Sequence, residues 1–180
     1  MLVMALETQR LRLVPWTLDD IGDFRQLATD PLVVRYITGG IPYKADRVLE
    51  FVDRQVRNQK EHGFSMWRLL LKPHDEFAGF CGIQPVGVTG EIEIGWWLCP
   101  RLWRQGLATE AALRALEYAF LERKLDEIIA VAMPDNAASR AIMLRLGMTY
   151  TGPSVYRDID VVRYRVRRED YLAARGGAGE

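Results

Sequence analysis

One stretch of the chain places residue types in an order suited to chemistry: Glu91-Ile-Glu-Ile-Gly-Trp-Trp-Leu-Cys-Pro-Arg-Leu-Trp-Arg-Gln-Gly-Leu-Ala-Thr-Glu110. Its alternating start reads as a strand, its middle as a short loop, and its end as a helix entered through Gly106. Glycine at 106 and alanine at 108 let a ligand come close to the backbone. The unpaired N–H groups of a helix start lie at the positive end of the helix dipole and favour a phosphate or pyrophosphate. Arg101 and Arg104 stand nearby in sequence to add charge-assisted contacts. A tight turn and close packing would use the same glycine and small residues, so the local pattern supports both readings equally. It is neither a G-x-G-x-x-G fingerprint nor a P-loop, because no G-K-[ST] follows.

The elements that must position this stretch are legible in outline. A strand is predicted over Arg10–Trp16, then a helix capped by Thr17 and running to about Thr29, where Asp30-Pro31 stops it. Tyr36–Gly40 is loop chemistry. A second helix fits Lys44–Glu61, with Val48, Leu49, Val52 and Val56 on one stripe and Gly63 beyond its end. Phe64–Lys72, Phe77–Gln84 and Glu91–Cys99 read as an antiparallel meander. A helix over about Gly106–Arg123, a buried strand over Glu127–Met133 and a short helix over Asn136–Leu146 follow, with Gly147 at the C′ position. Strands at Thr149–Thr151 and Ile159–Arg167 complete the sheet, and 174–180 is a frayed tail. This order predicts a single mixed α/β (α+β) domain over 1–180, its ordered core spanning about 6–168.

Composition removes several function classes. The 180 residues contain 24 Lys plus Arg and 24 Asp plus Glu, so no basic excess points to nucleic acid. Hydrophobic residues at 49% and charged residues at 27% match a globular chain, not a disordered one. Cys81 and Cys99 are too few for a disulfide framework, and with His62 and His74 they lack metal-ligand spacing. No apolar run approaches a bilayer span, and Met1–Glu7 lacks the basic start of a signal peptide. The expectation is a cytoplasmic protein with reduced thiols, no metal and no membrane partner.

Trp103-Arg-Gln-Gly106-Leu-Ala108 resembles motif A of the GNAT N-acetyltransferase superfamily, [Q/R]-x-x-G-x-[G/A], with Trp where Gln or Arg is usual. Ile94-Gly-Trp-Trp-Leu98 followed by Trp103-x-x-Gly-x-Ala-Thr-Glu-Ala111 is similar to the RimJ/RimL-like branch, which acetylates ribosomal-protein N-termini. Leu6–Leu13 looks like that branch's opening strand. Asn136-Ala-Ala-Ser139, with Leu144-x-x-Gly147-Met148, looks like its motif B. The resemblance covers about Leu6–Arg167, in order.

It implies a mostly antiparallel mixed sheet of about seven strands, splayed at the cofactor site and flanked by about four helices. It also implies acetyl-CoA as cofactor, CoA as product, and a primary amine as acceptor. Pantetheine would pair with strand amides of Trp96, Trp97 and Leu98, one of which would polarise the acyl carbonyl. The pyrophosphate would lie over Trp103, Arg104, Gln105, Gly106, Leu107, Ala108 and Thr109. Asn136 would meet pantetheine, Ser139 the thioester sulfur, and Arg140 the 3′-phosphate; as ordinary residues these would be an N-cap, a first-turn serine and a solvated arginine. Met143 stands four residues beyond Ser139, where many relatives carry a tyrosine acid, so the acid role passes to Ser139 or a water.

Only the neutral form of an amine attacks a thioester, and at pH 7 it is the minor form. Glu93 is the candidate base, with Glu91, on the same strand face by alternation, as second choice. Both would otherwise be solvated charges. Cys99 reads as a small core or rim residue. Tyr156, Arg163, Arg165, Arg167 and Arg168 suggest either an acceptor groove or, more simply, a charged outer strand face. Homodimers are common in the resembled branch, and a free last strand would support one. The competing class is a non-catalytic acyl-CoA sensor on the same fold; Glu93, Asn136 and Ser139 argue against it.

Overall fold

The structure is a computed structural model that describes residues 5–87 and 89–176. Eight strands form one sheet: β1 (Leu6–Glu7), β2 (Leu11–Val14), β3 (Met66–Leu71), β4 (Glu76–Pro85), β5 (Ile92–Leu98), β6 (Glu127–Ala132), β7 (Thr149–Tyr156) and β8 (Ile159–Arg167). Six α-helices flank it: α1 (Ile21–Ala28), α2 (Pro31–Thr38), α3 (Ala45–His62), α4 (Leu107–Glu117), α5 (Ala137–Arg145) and α6 (Arg168–Gly176). The strand order is β1-β2-β3-β4-β5-β6-β8-β7. Every neighbouring pair is antiparallel except β5 and β6. Among the described residues no helix is long and apolar enough to cross a membrane.

The mixed, mostly antiparallel sheet agrees with expectation, but the counts of seven strands and four helices do not. The opening strand is broken: Thr8 and Leu11 close a tight turn that makes Leu6–Glu7 a separate strand on β2. Asp30-Pro31 ends one helix and starts another, because the Asp30 carboxylate accepts from Leu32 N–H at 2.9 Å and Pro31 takes the first helical position. The loop reading of Tyr36–Gly40 therefore gives way to a helix running to Thr38. The predicted tail is helical as far as Gly176, and 177–180 lie outside the described residues. The strand expected over Thr149–Thr151 continues to Tyr156. The last strand, β8, is interior, so the free edge at that end of the sheet is β7.

Register and period-two alternation assign the two faces. Phe80 of β4 lies opposite Trp97 of β5, and both rings join Phe24 of α1, Phe51 of α3 and Tyr43 under the first three helices. The other face packs Ala111, Ala112 and Ala115 of α4, all fully buried, against the sheet. These small side chains let the helix lie close to it. Gly82 shows how tightly the strands fit: a Cβ there would fall 2.1 Å from the Ser65 carbonyl oxygen.

Phe24 is fully buried and stacks on Phe51 at a centroid distance of 3.8 Å. Phe24→Ala is expected to cost about 3–5 kcal/mol of stability, seen as a lower urea midpoint at unchanged slope.

Candidate active site

Among the described residues, the parallel pair β5 and β6 is the one pair of neighbouring strands joined at a single register position. Their registered contact is Glu93 opposite Ile129, although β5 continues to Leu98 and β6 to Ala132. β4 holds β5 along its whole length and β8 holds β6, so the two halves stay intact while the inner edges part. At about 3.3 Å per residue, the five steps from Glu93 to Leu98 make a wedge about 17 Å long. Its inner edge carries backbone groups that need a partner other than a neighbouring strand.

The wide end of the wedge is framed by two helix starts. After β5, Trp103 donates from Nε1 to the Leu98 carbonyl at 2.9 Å, fixing the loop on the strand. Arg104 and Gly106 take left-handed conformations, with φ of 61° and 77°, and turn the chain into α4. Gly106 is the cap residue and brings no side chain, so no capping group covers the first amides of α4. Leu107 and Ala108 bury their side chains and can offer a ligand only backbone. Thr109 completes the first turn.

Arg10 stands beside this cradle. It donates to the Gln105 carbonyl at 2.9 Å and pairs with Glu110 at 2.7 Å, and a Cβ at Gly106 would lie 3.6 Å from its guanidinium. Burial opposes ionisation of Glu110, but hydrogen bonds from Thr8 and Arg10 outweigh it and hold the carboxyl below its usual range. Arg101 is drawn off to the Phe77 carbonyl and Glu76.

After β6, Asn136 caps α5 by accepting from Ser139 N–H at 3.1 Å. Its amide nitrogen has no acceptor among the described residues. Ser139 presents its hydroxyl on the first turn, likewise without a described partner. Arg140 bends back onto the Pro134 carbonyl and the Tyr164 hydroxyl, at 3.0 and 3.2 Å.

The narrow end of the wedge holds Glu93, which is only 6% exposed. Its Oε1 accepts from Gln84 Nε2 at 2.7 Å and from the Tyr156 hydroxyl at 2.8 Å. Gln84 Oε1 accepts from Gln55 of α3 at 2.8 Å, and Gln55 Oε1 accepts from Met66 N–H at 2.9 Å. A chain of amides thus runs from the backbone of β3 through α3 and β4 to the carboxyl group. Among the described residues no donor reaches Oε2.

Burial, with the adjacent Glu93, pushes the Tyr156 phenol up to about 12. Glu91 is placed quite differently: it pairs with Arg163, half-exposed at the sheet surface. Arg165 and Arg167 pair with Glu127, so those arginines form a charged outer face, while Tyr156 belongs to Glu93.

Sequence reasoning missed Arg10, Gln55 and Gln84, and did not connect Tyr156 with Glu93. The two glutamines carried a signal. Gln55 interrupts the apolar stripe of α3, and Gln84 ends an otherwise apolar strand. A buried polar side chain needs a partner. Cys99 is buried with a raised thiol pKa, caused chiefly by that burial, and burial pushes the Cys81 thiol far up as well. Neither is a poised nucleophile.

Gln84→Leu removes a donor from Glu93 and an acceptor from Gln55, both buried. It should destabilise the protein by about 2–4 kcal/mol in chemical denaturation. Tyr156 titrates higher folded than unfolded, so its contribution to stability is complete below pH 10 and is lost as the pH rises toward 12. The stability difference between wild type and Tyr156→Phe should shrink over that interval in unfolding measurements made at stepped pH.

Residues 10–149 match the family described as an acetyltransferase (GNAT) domain. The chain is 31% identical over 186 aligned positions to the FsC-acetyl coenzyme A-N(2)-transacetylase of Aspergillus fumigatus, covering 93% of this chain and 78% of that protein. An acetyltransferase crystal structure from Agrobacterium tumefaciens matches with a TM-score of 0.82 and 26% identity, over 91% of this chain and 94% of that one. RimL, a ribosomal alpha-N-protein acetyltransferase solved in complex with coenzyme A, shares the fold at a TM-score of 0.72 and 19% identity, over 91% and 98%. With the splayed parallel pair and the uncapped α4 in place, the chain belongs to the GNAT acetyltransferase family.

Proposed function

We propose that this protein is an acetyl-CoA-dependent N-acetyltransferase that acts on a primary amine by direct attack within a ternary complex. The observation that carries the reading is a buried carboxyl group, Glu93, held by two hydrogen bonds at the closed end of the splayed β5–β6 pair.

The residues present fit acetyl-CoA. The α4 start from Trp103 to Thr109, with Arg10 alongside, offers amides and positive charge for the pyrophosphate. Of Trp96, Trp97 and Leu98, Trp97 turns its peptide groups to β4, while the N–H groups of Trp96 and Leu98 on the inner edge are offered to pantetheine. The amide nitrogen of Asn136, without an acceptor among the described residues, is a further donor. Arg140, as it lies, donates to the Pro134 carbonyl and the Tyr164 hydroxyl of β8, and would have to leave them to meet a 3′-phosphate.

Bound there, acetyl-CoA supplies an activated thioester: the amine nitrogen forms the new C–N bond, the C–S bond breaks, and the thiolate leaves with the bonding pair. Glu93 takes the proton that the amine gives up, directly or through a water. Gln84 and Tyr156 occupy Oε1 and leave Oε2 for that proton. A backbone N–H at the inner edge of Trp96–Leu98 would serve the acyl oxygen, where donors act on developing charge. The Ser139 hydroxyl, or a water beside it, would pass a proton to the thiolate and regain one from solvent, to which Glu93 in turn releases the amine proton.

The motif strings support a RimJ/RimL-like protein, and the proposal includes a single domain over 1–180 in the cytoplasm. The open edge of β7 leaves room for a homodimer.

Calorimetry should show acetyl-CoA binding with no matching response to ADP or NAD. Glu93→Gln should retain that affinity within about twofold while turnover falls about 100-fold or more. Unchanged turnover would remove Glu93 from the mechanism, and absent binding would remove the cofactor reading.

A further inference from the structure

On the helical side of Glu93 lies a group of cations for which the transfer chemistry gives no reason. Arg54 precedes Gln55 on α3. Its Nε is shut from solvent without a hydrogen-bond partner, and its salt-bridge partner, Glu50, lies 3.5 Å away and is itself 67% exposed. Arg157 sits at the tip of the β7–β8 hairpin with φ of 49°, its guanidinium 5.3 Å from the ring centre of Tyr156, whose hydroxyl reaches Glu93. Arg47 lies 3.8 Å over the ring of Tyr43.

These groups feel one another. Burial, followed by the charge of Arg157, lowers the Arg54 pKa, while Glu50, Tyr156 and Glu93 pull it the other way. The Tyr43 phenol, raised by burial, is in turn held down by Arg47, Arg157 and Arg54. The geometry agrees: Gln55, the residue after Arg54, is linked through Gln84 to Glu93, and Tyr156, beneath Arg157, donates to the same carboxyl group, so α3 and the hairpin tip both carry a guanidinium group to the border of Glu93.

Arg54 is partly buried, feels the like charge of the exposed Arg157, and holds a buried Nε with no partner, and both the repulsion and the unpaired donor cost free energy. An anion between Arg54 and Arg157 would remove both costs, and a guanidinium fork matches a carboxylate in geometry. A carboxyl group for the amine at one side and guanidinium groups at the other are complementary to a molecule that carries both signs.

Resting on the acetyltransferase reading, we infer that the acceptor carries a carboxylate close to its amine, gripped by Arg54 and Arg157 between Tyr43 and Tyr156. The bonds made and broken are unchanged: C–N forms, C–S breaks, and the amine proton passes to Glu93. The acceptor carboxylate only orients the nitrogen. A free amino acid and an acidic residue at a peptide N-terminus share this chemistry.

Initial rates at saturating acetyl-CoA, measured on matched acceptors, test the inference. The set is phenylalanine, phenylalanine amide and phenethylamine; β-alanine and propylamine; and peptides beginning with Asp or with Asn. The carboxylate-bearing members should lead in kcat/KM by about 30-fold or more. Preference confined to the free acids identifies an amino acid acceptor, and preference confined to the Asp peptide identifies an acidic N-terminus; either supports the inference. Arg54→Gln and Arg157→Asn should each cut the preference about tenfold, about 1.4 kcal/mol, through KM with acetyl-CoA affinity unchanged. Arg157 is on an exposed turn and asparagine tolerates its backbone angle, so that variant reads the site and not the fold. Equal rates within every pair, a preference that survives both substitutions, or acetyl-CoA binding with none of these amines acetylated overturns the inference and leaves the cofactor reading standing. Absence of acetyl-CoA binding overturns both together.

Discussion

The rest of the structure depends on a strand pair that is allowed to fail. β5 and β6 meet at Glu93 and Ile129 and then part. An open seam in the middle of a sheet would ordinarily be filled, because each unpaired backbone group away from water costs free energy. Here it persists because each lip belongs to a complete antiparallel ladder, β4 on β5 and β8 on β6. The parallel direction also puts the starts of α4 and α5 at the same end of the seam. That juxtaposition at the carboxyl ends of adjacent strands is where open sheets hold ligands.

The strands and helices that follow simple periodicity were readable from the chain alone, and so was the loop through Gly106. α3 runs almost as predicted because Val48 and Val52 mark its buried stripe and Gly63 ends it in a left-handed turn. What escaped was set by punctuation whose meaning depends on context. Pro31 reads as a stop, yet at the first position of a helix its missing N–H costs nothing, so it is equally a start. Thr149–Thr151 looked short because Gly152 and Pro153 follow it; a register shift at Thr151 lets both stay paired with β8 at the outer edge of the sheet, where a proline is tolerated.

The site shows a second limit. Glu91 and Glu93 were nearly equivalent as letters on one strand face. They diverge through partners supplied by other elements: Arg163 draws Glu91 to the surface, while Tyr156 and Gln84 close on Glu93. Gln84 lies directly opposite Glu93 across a ladder, a relation the meander contains in principle but one that depends on knowing the register. The turn through Gly106 into α4 was legible because it is a local object. The surroundings of Glu93 were not, since α3, β4, β5 and the β7–β8 hairpin all contribute to them.

The clasp of Arg10 on Gln105 and Glu110 joins residues about a hundred positions apart. Closing so long a loop is slow compared with winding a helix, and contacts of this separation tend to form late. The cradle beside α4 is therefore finished only when the first hairpin has found its place beside β3 and come within reach of the helix. During synthesis, a chain already long enough to include α4 still waits on its own beginning. Recovery of cofactor binding after dilution from denaturant thus becomes a clock for the last step of assembly.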